Sequence, residues 1–89
     1  MKEVFTTTQY RRDIKKFRHK EALLRELNTV VDKLRRNEPL DVKNKKHSLH
    51  GEYEGCLECH VGNDFLLVWV EDDNILLVRI GSHSELFGR

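Results

Sequence analysis

The spacing of the apolar residues changes halfway along the chain, and this change constrains the fold more than any other feature of the sequence. The first half carries apolar residues at intervals of three or four, the period of an amphipathic helix, at Leu23, Leu27, Val30 and Leu34. From Glu52 onwards the apolar residues come in short runs between turn-forming residues, which is typical of strands. The sequence therefore predicts helices packed against a sheet.

Capping residues and chain breakers set the boundaries of these elements. One helix is predicted to begin at a Thr7 or Thr8 cap and to end near residue 18, and a second ends near Arg36 because Pro39 follows. The predicted strands cover residues 2–6, 53–61, 65–70 and 75–80. The β-α-α-β-β-β order predicts a single α+β domain over residues 1–89, with a largely antiparallel sheet and two helices on one face.

The net charge of +1 conceals two halves of opposite sign. Residues 1–50 carry fourteen Lys and Arg against seven Asp and Glu, whereas residues 51–89 carry two against eight. Lysine-rich helices often have no role beyond being solvated. The same charges also predict a basic surface that attracts a polyanion, either RNA or an acidic peptide.

Neither a targeting segment nor a membrane span is predicted. The first twenty residues contain no apolar stretch long enough for a signal peptide, and the longest apolar run, residues 65–70, is too short to cross a bilayer. We therefore expect a cytoplasmic protein.

Arg79 and His83 lie at the exit of the last predicted strand. Arginine binds phosphate oxygens, and histidine can transfer a proton near neutral pH. Arg79 has the opposite parity to Val78 and Ile80, so it is predicted to point away from the core that these two residues build. It needs an anionic partner, which is either a ligand or a neighbouring acid such as Glu58.

Most of the histidines lie in the same half of the sequence. Four of the five are found between positions 47 and 83, at His47, His50, His60 and His83, and Asp64 follows His60 by four residues. Together with Arg79 they supply a base, an acid and a cation, which cleavage of a phosphodiester next to a 2′-hydroxyl requires. Any one of these histidines alone is more simply explained as a surface residue.

The Cys56-Leu57-Glu58-Cys59-His60 segment has the C-x-x-C-H pattern of haem attachment. Haem attachment of this kind belongs to exported proteins, and a strand would place the two cysteines on opposite faces. A zinc site completed by His47 and His50 is opposed by the same geometry. We expect a buried Cys59, a half-exposed Cys56, both reduced, and no metal or cofactor.

Five short segments spread over the second half form a recognisable set. They are residues 47–51, 53–55, 60–65, 79–83 and 86–88, which read HSLHG, YEG, HVGNDF, RIGSH and LFG. Together they resemble the YafQ branch of the RelE-type toxins, the toxin halves of bacterial toxin–antitoxin pairs. The resemblance covers essentially the whole chain, including the order of its elements.

The resemblance implies a messenger-RNA endonuclease that acts in the ribosomal A site and is silenced by a cognate antitoxin. It places the active-site residues of that branch at His47, His60, Asp64, Arg79, His83 and Phe87. We expect His83 to be the acid, His47 or His60 the base, Asp64 to orient or charge a histidine, and Arg79 to hold the phosphate. RNA-binding candidates are Lys45, Lys46 and Phe87, the last by stacking on a base or, alternatively, only by closing the core.

Two other functions stay open at this point. Some toxins of the same superfamily bind a protein target such as gyrase and cut no RNA, and they do not need the histidine and aspartate set. A plain RNA-binding module that uses the basic helices is the second alternative. For a toxin we expect an acidic or flexible antitoxin segment to cover the basic helices, in competition with the ribosome.

Overall fold

The computed structural model describes residues 1–88, and its centre is a five-stranded sheet in the order β1-β5-β4-β3-β2. The strands are β1 (Val4–Thr6), β2 (His47–Ser48), β3 (Leu57–Val61), β4 (Phe65–Glu71) and β5 (Ile75–Ser82). All neighbouring pairs are antiparallel except β1 and β5, which are parallel. The α+β class and the largely antiparallel sheet are thus confirmed.

Two helices cover one face of the sheet, as predicted: α1 (Thr8–Lys16) and α2 (Glu21–Arg35). Thr7 caps α1, since its hydroxyl accepts a hydrogen bond from the Tyr10 amide at 2.9 Å. Both helices bury their apolar stripes in one core, which contains Tyr10, Phe17, Leu23, Leu27, Val30, Leu34, Cys59, Val61, Leu67, Trp69, Ile75, Leu77 and Ile80. Neither helix, nor any other in residues 1–88, is long and apolar enough to cross a membrane.

The opposite face of the sheet, which we call the site face, holds a second and smaller apolar cluster. This cluster consists of Leu66, Val68 and Leu86, with Leu49, Tyr53, Cys56, Val78 and Phe87 packed around it. Strand β3 alternates regularly between the two sides, so Leu57, Cys59 and Val61 meet the helices. Glu58 and His60 therefore point to the site face.

A β-bulge in β5 changes the predicted direction of one side chain. Leu77 pairs with Trp69, and Arg79 pairs with Val68, so Val78 is an extra residue without a cross-strand partner. Val78 packs in the site-face cluster, whereas Ile80 packs in the helix-side core. The prediction that these two residues share a face was wrong, although Arg79 does lie opposite to Ile80.

Five residues after the last strand form a short helix, α3 (His83–Phe87), that the strand and helix predictions omitted. Ser82 and Glu85 form a reciprocal capping box at its start, with hydrogen bonds of 3.2 and 2.9 Å. The helix packs over Gly81, where an added Cβ would meet Leu86 Cδ2 at 3.3 Å. A glycine at this position therefore lets α3 approach the sheet closely.

The predicted strand over residues 53–61 was too long. Gly51–Tyr53 forms a 3₁₀ turn, and Gly55 has a φ of 90°, a left-handed conformation that ends regular pairing. The lysine-rich connector before it, residues 40–50, contains a second 3₁₀ turn, Val42–Asn44, and the two-residue strand β2. This connector brings His47 alongside β3, which no sequence pattern indicated.

Candidate active site

The cross-strand register places the candidate residues in two adjacent rows on the site face. The first row crosses four strands and contains His47, Glu58, Val68 and Arg79. The second row contains His60, Leu66 and Gly81. Side chains directly opposite each other on neighbouring strands share a face, so polar groups lie on either side of an apolar floor formed by Leu66 and Val68.

His47 and Glu58 form a close pair at one end of the first row. His47 Nε2 lies 2.8 Å from Glu58 Oε1, and His47 Nδ1 lies 2.7 Å from the Lys45 carbonyl oxygen. A carbonyl oxygen only accepts hydrogen bonds, so Nδ1 carries a proton. The Nε2–Oε1 contact then holds one further proton, which makes the pair either imidazolium with carboxylate or imidazole with carboxylic acid.

Glu58 is almost completely buried, with 4% of its surface exposed. Its second oxygen, Oε2, is buried and has no hydrogen-bond partner among residues 1–88. A buried carboxylate oxygen without a partner is costly, and such groups are often found where a ligand or a reaction uses them. Glu58 is therefore a site residue that the sequence analysis considered only as a partner for Arg79.

Arg79 is paired with Asp13 of α1, not with Glu58. Its Nε donates to Asp13 Oδ2 at 3.0 Å, and its Nη2 donates to Asp13 Oδ1 at 2.8 Å. The Gln9 side chain donates to Oδ1 at 3.0 Å, and the Ile80 amide donates to Oδ2 at 3.1 Å. The expectation of an anionic partner for Arg79 is confirmed, and the suggestion of Glu58 as that partner was wrong.

The protonation of this pair follows from its contacts. Burial acts to raise the pKa of Asp13, but hydrogen bonds from Arg79, Gln9 and Ile80 outweigh it and hold the pKa below its ordinary value of 3.8. The bond to Asp13 also raises the pKa of Arg79, and Tyr53 adds to the effect. The stability that Asp13 contributes is thus present above pH 3.8 and is lost as the pH falls through its lower folded pKa.

Aromatic side chains connect Arg79 to His83. Tyr53, which also raises the pKa of Arg79, packs edge-on against Phe87 with ring centroids 5.9 Å apart. Phe87 in turn lies 5.1 Å from the His83 ring, one helical turn earlier in α3. His83 is exposed, and Phe87 is half-buried. Phe87 therefore packs in the site-face cluster and supports His83.

The structure does not bring Asp64 to a histidine. Asp64 is exposed in the turn between β3 and β4, where it lies with Lys20 and Glu21 along a shallow groove. No hydrogen bond or ion pair joins its carboxylate to another side chain within the described part of the chain. His50, Lys45 and Lys46 are likewise exposed beside the site and make no side-chain bond there. The carboxylate that bonds a histidine is that of Glu58.

Two of the residues missed by the sequence analysis left signals in the sequence. Asp13 lies three residues after Tyr10 and four before Phe17, so it falls on the apolar stripe of α1, where a charge needs a partner. Glu58 has the same parity as His60 in β3, which indicates a shared face. Tyr53 gave no such signal, because a 3₁₀ turn has no strand parity.

The two cysteines lie on opposite sides of the sheet, as predicted. Cys59 is buried in the helix-side core, and Cys56 packs in the site-face cluster. Burial raises the pKa of Cys59 to about 12, so its thiol stays protonated and is a poor metal ligand or nucleophile. Over residues 1–88, no group of three or more His, Cys, Asp and Glu side chains is arranged to hold a metal ion.

The fold and the site together define a small α+β toxin of the kind that the sequence resembles. The family model described as the bacterial toxin of type II toxin–antitoxin systems, YafQ, matches residues 2–88. The chain belongs to the YafQ toxin family.

Individual relatives agree with this assignment. The mRNA interferase toxin YafQ of Escherichia coli K12 is 32% identical over 82 residues, which cover 90% of this chain and 89% of the relative. A metal-bound toxin from Helicobacter pylori is 37% identical with a TM-score of 0.88, covering 98% of this chain and 100% of that chain. The toxin of the E. coli DinJ–YafQ complex is 28% identical with a TM-score of 0.86, and 98% of each chain is covered.

Proposed function

We propose that the chain is an endoribonuclease that cleaves messenger RNA in the ribosomal A site, and that it acts in the cytoplasm. One observation carries this proposal: a histidine–carboxylate pair, an arginine and two further histidines lie around one apolar floor on the same face of the sheet. The E. coli relative that is named an mRNA interferase supports the same activity. A toxin that only binds a protein target has no need of this arrangement.

His60 is assigned as the base that takes the proton of the ribose 2′-hydroxyl. The His60 ring makes no hydrogen bond or ion pair with another of residues 1–88, so one ring nitrogen is free to accept a proton. His47 lacks this freedom, because both of its ring nitrogens face acceptors. We assign to the His47–Glu58 pair the role of holding a proton beside the phosphate, a role that the sequence analysis gave in part to Asp64.

The reaction then proceeds by displacement at phosphorus. The 2′-oxygen forms a bond to the adjacent phosphate while His60 takes its proton, and the bond to the 5′-oxygen breaks while His83 protonates that oxygen. The products are a 2′,3′-cyclic phosphate and a 5′-hydroxyl. Arg79 stabilises the charge that develops on the phosphate oxygens, and the exposed Lys45 and Lys46 bind the flanking RNA backbone.

The pH dependence of cleavage tests the assignment of the base. Wild-type activity on programmed ribosomes is expected to rise and then fall with pH, because a free base and a protonated acid are both needed. His60→Gln is expected to lower the rate about 10²- to 10⁴-fold and to remove the rising limb. Glu58→Gln serves as the comparison, since it changes the neighbouring carboxyl and keeps His60; it should lower the rate and retain both limbs. A His60→Gln variant with a normal rising limb would contradict the assignment.

Metal ions have no place in the proposed chemistry. The relative from Helicobacter pylori is described as metal-bound. In the described residues of this chain the required ligand groups are not grouped together, so they do not fit such an ion. Cleavage in the assay above is accordingly expected to be unchanged when a transition-metal chelator is added.

The cognate antitoxin is proposed to cover the basic surface of α1 and α2. Arg12, Lys15 and Lys16 are exposed on α1, and no acid on residues 1–88 pairs with them. A flexible acidic segment gains charge pairing there and loses chain entropy on ordering. Such a segment competes with ribosomal RNA for the same cations. It leaves the site residues uncovered, because both helices lie on the other side of the sheet from the site.

Charge reversal tests this surface. Arg12→Glu, Lys15→Glu and Lys16→Glu together should weaken antitoxin binding by at least about tenfold, since three exposed ion pairs contribute about 0.2–1 kcal/mol each and reversal adds repulsion. Lys45→Glu with Lys46→Glu is the control on the site face, and it should weaken ribosome binding more than antitoxin binding. Equal antitoxin affinity for the triple variant and the wild type, measured by calorimetry, would show that α1 is only a solvated surface.

A further inference from the structure

The buried carboxylate of Asp13, on α1, accepts hydrogen bonds from Arg79 at the edge of β5. Asp13 is 1% exposed, and each of its oxygens accepts two hydrogen bonds, one from Arg79 and one from Gln9 or Ile80. Four bonds saturate a carboxylate. Asp13 therefore has no capacity left for a ligand of its own, and it acts on the site only through Arg79.

We propose that Asp13 is a positioning residue that fixes the Arg79 guanidinium for phosphate binding; this inference rests on the proposed RNA cleavage. A guanidinium is planar and rigid, so two bonds along one edge determine where the rest of the group lies. Of its five N–H donors, Asp13 takes two, and three are left for other partners. The Arg79 side chain keeps 20% of its surface exposed, so the protein does not enclose it completely.

The position of the pair in the fold supports a role in orientation. Strand β1 pairs with β5 only as far as Leu77, and the Thr7 hydroxyl donates to the Val78 carbonyl oxygen, so the edge of β5 has no neighbouring strand beyond that point. At this edge the Ile80 amide donates a hydrogen bond to the Asp13 carboxylate. A neutral acceptor could accept the same bond, so this bond does not explain why the residue is charged. Arg79 follows the bulge and lies opposite Val68 on the site face. The Asp13 carboxylate then restrains the long Arg79 side chain. Restraint of a flexible arginine before substrate binds is what preorganised phosphate binding requires.

A double-mutant cycle separates positioning from a general structural role. Asp13→Asn should lower the saturating rate of mRNA cleavage on ribosomes about 10- to 100-fold, with little change in the toxin concentration that gives half of that rate. In an Arg79→Ala background, Asp13→Asn should have no further effect, because its only route to the substrate has been removed. Glu71→Gln is the matched control, since it breaks the partly buried pair of Glu71 with Lys2, 3.0 Å long and at the far end of β4 from the site. This control should keep the wild-type rate.

Several results would overturn the assignment. An equal loss on Asp13→Asn in both backgrounds, or no loss in the wild-type background, means that Asp13 serves stability alone. A wild type that does not cleave RNA overturns the proposed function and this inference with it, whereas a cleaving wild type with an additive cycle overturns only this inference. If Asp13→Asn does not fold, Gln9→Ala replaces it: removal of one neighbouring bond should lower the same rate about two- to tenfold, again only when Arg79 is present. An unchanged rate for folded Gln9→Ala counts against the proposal.

A spectroscopic measurement gives a second readout that does not depend on cleavage. The Arg79 Nε–H group should show slow exchange with solvent in the wild type, because it is bonded to a buried oxygen. Exchange should become fast in Asp13→Asn and stay slow in Glu71→Gln. Equal protection of this group in Asp13→Asn and the wild type would show that Asp13 does not hold the guanidinium.

Discussion

Replacement of His83 by alanine is expected to lower the rate of RNA cleavage about 10²- to 10⁴-fold, the scale for loss of a general acid. The fold should survive, because His83 is exposed at the first position of α3 and the capping box of Ser82 and Glu85 does not involve its ring. We expect a change of no more than about 1 kcal/mol in the free energy of unfolding, as is usual for surface substitutions. Ribosome-programmed cleavage and thermal melting measure the two effects.

The pH profile distinguishes an acid from a residue that only binds. Loss of the acid should remove the falling limb at high pH and keep the rising limb that we assign to His60. His19→Ala is the matched control: His19 is also exposed, but it lies in the turn between α1 and α2, away from the site face. A folded His83→Ala variant that cleaves at the rate of His19→Ala would refute the role of His83.

Arg79→Lys is expected to lose both activity and stability although it keeps the charge. Lysine has no planar fork, so it cannot bind Asp13 along two bonds and also present donors to a phosphate. The rate should fall about 10- to 10³-fold, the range for removal of one transition-state donor. The free energy of unfolding should fall by about 1–3 kcal/mol, because an oxygen of the buried Asp13 loses a hydrogen bond. Chemical denaturation and cleavage assays report the two losses.

Arg11→Lys is the control for this substitution. Arg11 is an exposed arginine on α1, the helix that carries Asp13. Its guanidinium bonds to Thr6 and Thr8 at 2.8–3.2 Å, not to a buried acid. Its replacement should leave cleavage unchanged. Arg79→Lys with wild-type turnover would mean that the guanidinium is not used on the phosphate, and that Arg79 serves only to pair with Asp13.

The sequence predicted those parts of the fold that depend on local spacing. The apolar stripe of α2 and the alternation in β3 are set by neighbours in the chain, so their faces could be assigned correctly. The bond between Asp13 and Arg79 joins residues 66 positions apart, and it depends on how α1 meets the edge of β5. The periodicity of apolar residues within single elements cannot predict a contact between residues so far apart in the sequence. The helix α3 was missed for a different reason, since its capping box was present in the sequence and was overlooked.

The candidate site was predicted in its composition better than in its connections. His47, His60, Arg79 and His83 were singled out, and the register places the first three of these in the two rows of the site face. The choice of Asp64 as the acid beside a histidine rested on its proximity to His60 along the chain and on the family resemblance. Glu58 takes that place, because pairing of β2 with β3 sets it opposite His47, and cross-strand register cannot be read from a single strand.

The bulge at Val78 gives β5 two consecutive residues on the site face, one more than regular alternation allows. With one residue fewer between Leu77 and Ile80, β5 would alternate regularly. The one residue left between them would have to replace two: Val78, which packs in the site-face cluster, and Arg79, which stands opposite Val68. The apolar side chains of β5 can therefore be exchanged for other apolar ones, but insertions and deletions there are strongly restricted. Homologues should therefore differ in β5 by substitution of residues and almost never by the length of the strand.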